Sequence, residues 1–200
     1  QEFHKVAGLS VEDDWTVYPR YGVVAGSKDN HNSITKEQVE GYKNSIDQLA
    51  NMHINNYFFY DVYNTPANPF PANVERFTQD WATFLIPKDE TDPEKRKTYL
   101  PVIDTEAVKE LVSHVHSTGA KAMLYNMIYA VSLDEKIPDQ VKSAIVRNLQ
   151  DHFNFGKTGD VTATDIQQFL DPGDPNWQNF IINVMLKAMK EGGFDGWQGD

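Results

Sequence analysis

Two hundred residues with 40% hydrophobic and 12% aromatic content can bury one sizeable core, which excludes a disordered or fibrous chain. Against 18 basic residues stand 29 acidic ones, and the formal charge of −11 argues against nucleic acid or an anionic membrane as partner and fits a neutral substrate. With no cysteine there are no disulfides, thiolate nucleophiles or cysteine-bound zinc, and with no run of about 18 apolar residues no membrane span is expected.

The opening QEFHKVAGLSVEDDW has no apolar signal-peptide core and no initiating Met, so an internal or processed piece is expected, and composition leaves the compartment open. The first strand expected is residues 17–25 (VYPRYGVVA), with Tyr18, Arg20 and Tyr21 as candidate site residues near its start. A helix follows: Thr35 with Gln38 three residues on makes a capping box, Val39, Tyr42, Ile46 and Leu49 recur at helical spacing, and Asn51 stops it. A second strand is expected over 53–61 (HINNYFFYD).

The next helix starts at Asp104 as N-cap, carries Val108, Leu111, Val112 and Val115 on one stripe and ends at Gly119, leading into a strand over 120–126 (AKAMLYN). The last starts at Asp174 with Pro175 at its first position, carries Trp177, Ile181, Val184, Met185 and Ala188, and ends at Gly192 before a strand over 194–200 (FDGWQGD). Strands separated by helices run parallel, so this repeat predicts half of a barrel or much of an open doubly wound sheet. The segments 62–103 and 130–173 are long for connectors, which points to function, and a short helix is expected around 141–149.

In a parallel barrel the C-terminal strand ends carry the chemistry, and polar side chains gather there: Tyr60 and Asp61, Tyr125 and Asn126, Gln198 and Asp200. Singly, Asp61 and Asn126 also suit turns or helix caps. For Asp200, Gly196 and Gly199 suggest room beside it for a ligand, and strand alternation puts Gln198 on its side. Trp197, Tyr125 and Tyr129 could stack on a sugar face or pack, whereas Trp177, on a helix's apolar stripe, is packing. His114 and His116 are two apart on a helix and share no face, so no metal pair is expected, and DPGDPN (171–176) lacks the Gly and Glu of an EF-hand loop and reads as a turn feeding an N-cap. No metal and no cofactor are expected.

The segments DWTVYPRYGVVAGSKDN, INNYFFYDVYN, KAMLYNMIYA, WQNFI and GGFDGWQGD, in that order, resemble bacterial endo-dextranases of glycoside hydrolase family 66. The resemblance implies a (β/α)8 TIM barrel of which only the first four βα units are present, over residues 15–200, with 1–14 as the end of an immunoglobulin-like β domain and linker. It implies endo-hydrolysis of α-1,6-glucosidic bonds in dextran with retention of configuration, Asp200 as nucleophile and a Glu beyond this chain as acid/base. It also implies that Asp61, Tyr125 and Asn126 bind glucose hydroxyls, and that Trp197 and Gln198 shape the neighbourhood. The partners implied are α-1,6-glucans (dextran and isomaltooligosaccharides), for a monomer acting outside the cell or at its surface because the polymer is there. Two alternatives stand beside hydrolysis: intramolecular transfer, as in cycloisomaltooligosaccharide glucanotransferases, and a glucan-binding barrel without catalysis. A half barrel by itself is expected to aggregate or be inactive.

Overall fold

A computed structural model describes residues 21–24, 33–60, 62–79, 85–132, 135–145 and 167–200. In chain order its elements are β1 (Tyr21–Val24), α1 (Val39–Asn51), β2 (Asn56–Phe59), β3 (Arg76–Thr78), α2 (Pro93–Thr98), β4 (Val102–Asp104), α3 (Thr105–Ser117), β5 (Lys121–Asn126), β6 (Ala130–Ser132), β7 (Gln167–Phe169), α4 (Pro175–Gly192) and β8 (Gly196–Gly199). Strands β1, β2, β5 and β8 lie side by side in that order as one parallel sheet, with Tyr21 opposite Asn56, Asn56 opposite Lys121 and Met123 opposite Gly196.

Helices α1, α3 and α4 form at the places their apolar periodicity marks. Gln38 accepts the Thr35 N–H at 3.0 Å ahead of α1, and Asp174 caps α4 by accepting from Asn176 N–H at 2.8 Å and Trp177 N–H at 3.1 Å. Gly193 closes α4 at φ 77°, a left-handed turn that glycine enters without strain. The helices cover one face of the sheet, whose Tyr57, Phe59, Ala122 and Leu124 are wholly enclosed against Ile46, Val108, Leu111, Val115 and Met185. Each fully buried aliphatic side chain of this kind is worth roughly 1.5–3 kcal/mol. Phe194 sets its ring edge-on to Phe59 and Phe70, at 5.3 Å and 5.9 Å, and joins the start of β8 to that core.

The two long connections carry small antiparallel pairs, β3 with β4 and β6 with β7. Where a helix is expected around 141–149, the chain makes a 3-10 turn, Asp139–Ala144, that buries only Val141 and Ala144; residues 146–149 lie outside the described set. A stripe that thin does not repay the cost of nucleating a helix.

His114 and His116 go separate ways, His114 to Asp47 at 2.8 Å and His116 to Asp195 at 2.8 Å. Asp195 also accepts from Ala122 N–H at 2.9 Å and Lys121 Nζ at 3.1 Å. Burial works to raise its carboxyl, but Ala122, His116 and Lys121 together hold it below the usual aspartate range. Among the described residues no group of three or more potential ligands could hold a metal ion, and no helix is long and apolar enough to cross a membrane.

Asp104 differs from the expected N-cap. It stands at the cap position of α3 without a side-chain cap bond; instead its carboxylate takes Arg76 Nε at 2.5 Å and Nη2 at 3.2 Å, and Lys36 N–H at 3.1 Å. The competing guanidinium won one side of the carboxylate, and the Lys36 N–H ties this β3–β4 pair to the turn that leads into α1. The Arg76 guanidinium holds the Asp104 carboxyl below its ordinary range, against burial and with help from Lys36 N–H. Asp104→Asn is therefore expected to lower stability by about 1–3 kcal/mol at neutral pH. Because the folded-state value is depressed, the contribution is complete above the unfolded value of about 3.9 and disappears as pH falls through the lower folded value. Denaturant midpoints of wild type and variant should thus draw together as pH falls from about 4 through the lower folded value; a gap that persists below that value would assign the loss to packing.

Candidate active site

The C-terminal end of the sheet brings Asp200 next to the end of β5. One residue past β8, Asp200 continues the ladder: its N–H donates to Asn126 O at 3.0 Å and its carbonyl accepts from Ile128 N–H at 3.1 Å. Both sides of the peptide are thus held by the neighbouring strand and its extension. Period-two alternation places Gly196, Gln198 and Asp200 on the sheet face away from the helices, with Met123 and Tyr125 of β5 on the same face through the pairings Met123–Gly196 and Tyr125–Gln198.

On that face the Tyr125 hydroxyl donates to Asp200 Oδ2 at 2.5 Å. The carboxylate is exposed, whereas Tyr125 is only 4% exposed. Its ring lies 4.5 Å from that of Tyr60 and 5.9 Å from that of Tyr63. Tyr63 and Met127 are buried with it and Tyr129 packs on the group. Burial, then the Asp200 carboxylate, drive the Tyr125 phenol far above its ordinary range; burial and the charge on Asp200 also raise Tyr129. Both phenols keep their protons, and that of Tyr125 is donated to Asp200. Tyr60 presents an exposed ring beside them, 41% accessible, and Tyr129 stacks on Phe169 of β7 at 5.8 Å with the planes 9° apart.

The expected site residues divide between the two faces of the sheet. Asp200, Gln198 and Tyr125 come together; Gln198 is exposed beside the carboxylate. Trp197 sits opposite Leu124 and packs, half-buried, on the helix-side core. Asn126 is fully enclosed on that same side, where its Nδ2 donates to Pro66 O at 2.9 Å and meets Met185 Sδ at 3.1 Å. Asp61, Tyr18 and Arg20 lie outside the described residues. The glycines differ from the expectation of open room: a Cβ on Gly196 would meet Met123 Cε at 2.7 Å, and one on Gly199 would meet Ile128 Cγ2 at 3.0 Å. The space beside the strand is filled by neighbouring side chains, so these glycines serve close packing.

Sequence reasoning missed the walls around this group. The loop after β2 is held from three directions, by Asn126 on Pro66 O, by Gln79 Nε2 on Tyr63 O at 2.9 Å, and by Glu135, which takes the Thr65 hydroxyl and, at 3.0 Å, the Ala67 N–H. Tyr63 escaped because alternation beyond a strand end carries no reliable side assignment.

A parallel α/β sheet with an exposed carboxylate at its C-terminal edge and a wall of tyrosines places the chain among α/β proteins that keep their chemistry at strand ends. The chain belongs to glycosyl hydrolase family 66, whose model matches residues 2–200. It is 46% identical over 201 residues to a dextranase of Streptococcus salivarius, covering 98% of this chain and 22% of that protein. It is 27% identical to a cycloisomaltooligosaccharide glucanotransferase of Niallia circulans over 94% of this chain and 17% of that protein. The chain thus spans about a fifth of the length of these curated relatives. In fold it resembles a Paenibacillus cycloisomaltooligosaccharide glucanotransferase solved with cycloisomaltoheptaose, at TM-score 0.67 and 23% identity over 96% of this chain and 24% of that one.

Proposed function

We propose that this chain carries the nucleophile-bearing part of a retaining endo-dextranase. The observation that carries the reading is the exposed Asp200 carboxylate, braced by Tyr125 at the sheet end, in a chain 46% identical to a dextranase. On this reading the four parallel strands are the first four of an eight-stranded (β/α)8 barrel that follows an immunoglobulin-like domain. The active enzyme is a monomer that works outside the cell or at its surface, where dextran is found, and the reaction needs no cofactor.

The chemistry follows from the carboxylate. Asp200 attacks the anomeric carbon of an α-1,6-linked glucosyl unit while the bond to the leaving O6 breaks and that oxygen takes a proton from a second carboxyl. Retaining geometry sets the two groups about 5–5.5 Å apart. The reading assigns the second group to a Glu outside these residues. Water, deprotonated by that same group, then releases the sugar with its α configuration restored. Gln198 flanks the bond being broken and Tyr60 offers its exposed face to the ring. Asp61 is assigned to the glucose hydroxyls as well.

The test is a substrate panel with the full-length protein. Dextran should be cut internally, with rapid loss of viscosity and the α-anomer formed first by NMR, while starch and cellulose are untouched. First formation of the β-anomer would overturn retention, and dextran binding without cleavage would overturn the enzyme. A second reading, transfer of the glycosyl group to a hydroxyl of the same chain, is favoured by the likeness to the glucanotransferases. Cyclic products in place of linear ones would select it.

A further inference from the structure

We propose that Tyr125 is a positioning residue for the nucleophile: its hydroxyl holds Oδ2 of Asp200 and leaves Oδ1 free for attack. The inference rests on the assignment of Asp200 as nucleophile and changes the role the family resemblance implies for Tyr125, from a ligand of glucose hydroxyls to a brace on the carboxylate.

Three observations carry it. The donor is tightly packed: Tyr125 is 4% exposed, on a strand, with its ring against those of Tyr60 and Tyr63. The contact is specific to one oxygen, Tyr125 Oη to Asp200 Oδ2 at 2.5 Å, and no described residue donates to Oδ1. The Asp200 backbone is held independently by Asn126 O and Ile128 N–H, so the freedom left to this side chain is rotation about its own bonds, and the phenol removes it.

The chemical consequence has two parts. A carboxylate with one oxygen fixed by a charge-assisted donor presents the other in a single direction, and so meets the anomeric carbon without a search over rotamers. When Oδ1 has formed the glycosyl ester, Oδ2 is its carbonyl oxygen and still accepts from the phenol. When the ester is cleaved, negative charge returns to a carboxylate whose donor is already in place. The proton stays on Tyr125 throughout, in line with the raised value of this buried phenol. A phenol so committed has no proton left to donate to the substrate, which separates the two roles experimentally.

The test is Tyr125→Phe in the full-length enzyme, which keeps the ring and its packing and removes only the donor. Turnover, kcat, should fall about 10- to 100-fold with KM changed less than about threefold, as expected for loss of one hydrogen bond to a charged group. A merely structural tyrosine would leave kcat unchanged once Phe preserves the fold, and a glucose-hydroxyl ligand would raise KM more than it lowers kcat; either result overturns the inference. Asp200→Gly with azide is run in parallel. If azide rescues Asp200→Gly while Tyr125→Phe behaves as wild type, the brace fails and the nucleophile stands. If Asp200→Gly retains activity without azide, the nucleophile assignment fails and the brace with it. Should Tyr125→Phe fold poorly, Tyr125→3-fluorotyrosine keeps the hydroxyl and the ring while making the donor more acidic, and kcat should change with KM held within about threefold; a kcat at the wild-type value, or a change confined to KM, counts against the brace.

Discussion

On the proposed assignment, replacing Asp200 by Gly is expected to abolish dextran cleavage, by about 10⁴-fold or more in kcat, the scale of losing a group that makes a covalent bond. The size follows from the position of the residue. Its backbone is a rung of the β5–β8 ladder, so the substitution removes the carboxylate and leaves N–H and C=O bonded to Asn126 and Ile128. The side chain is exposed, so little packing is lost and a drop in activity reports chemistry. Sodium azide should restore turnover on an activated α-glucoside, because the vacated space admits an anion to the face Asp200 occupied. The azide nitrogen bonds to the anomeric carbon as the bond to the leaving oxygen breaks, and the product is the β-glucosyl azide. That product, identified by NMR, is the decisive readout. An α-azide, or an Asp200→Gly variant with the activity of wild type, would remove Asp200 from the role.

The legible part of this site lies within single elements. Period two in 194–200 put Gln198 and Asp200 on one face, and the structure keeps them there. The same rule applied to neighbours in sequence would have parted Asn126 from Tyr125 and Trp197 from Gln198, yet polarity at strand ends drew all of them into one candidate list. Asn126 in fact sits beneath the sheet, with Pro66 and Met185 as partners. The contact between Tyr125 and Asp200 spans 75 positions and depends on the register of β5 against β8, which no local pattern encodes. The glycines misled for a related reason. A missing Cβ signals close approach, but whether ligand, Met123 or Ile128 approaches is decided by the partner element. Asp104 shows competition of the same kind, where a residue suited to capping its own helix is taken by Arg76, 28 positions away. Helix positions were legible because their cause is local: α1 and α4 start on residues whose side chains satisfy nearby backbone groups, and α3 follows its own apolar stripe.

Trp177→Ala is expected to cost about 3–5 kcal/mol of stability, the largest loss of any single change on α4. The ring is 1% exposed, lies beside Phe180 at 5.7 Å, and its Nε1–H donates to Ile128 O at 2.6 Å. Truncation therefore leaves both a cavity and a carbonyl without its donor. That carbonyl belongs to the residue whose N–H donates to the Asp200 carbonyl, so the indole supports Asp200 from the opposite side of the sheet. Packing and donor can be separated. Trp177→Phe keeps most of the ring and loses the N–H, so it should cost about 1–3 kcal/mol and lower kcat without altering KM, whereas Lys187→Ala on the exposed side of α4 should stay within about 0.5 kcal/mol of wild type. Denaturant midpoints and dextran kinetics on the same preparations decide the matter. If Trp177→Phe, assayed where it is fully folded, is slowed with KM unchanged, the indole N–H acts on Asp200 from the helix; a kcat at the wild-type value leaves it a purely structural contact. If Trp177→Ala loses less than about 1 kcal/mol, the helix is not anchored by this residue and the account of the core under β8 is wrong.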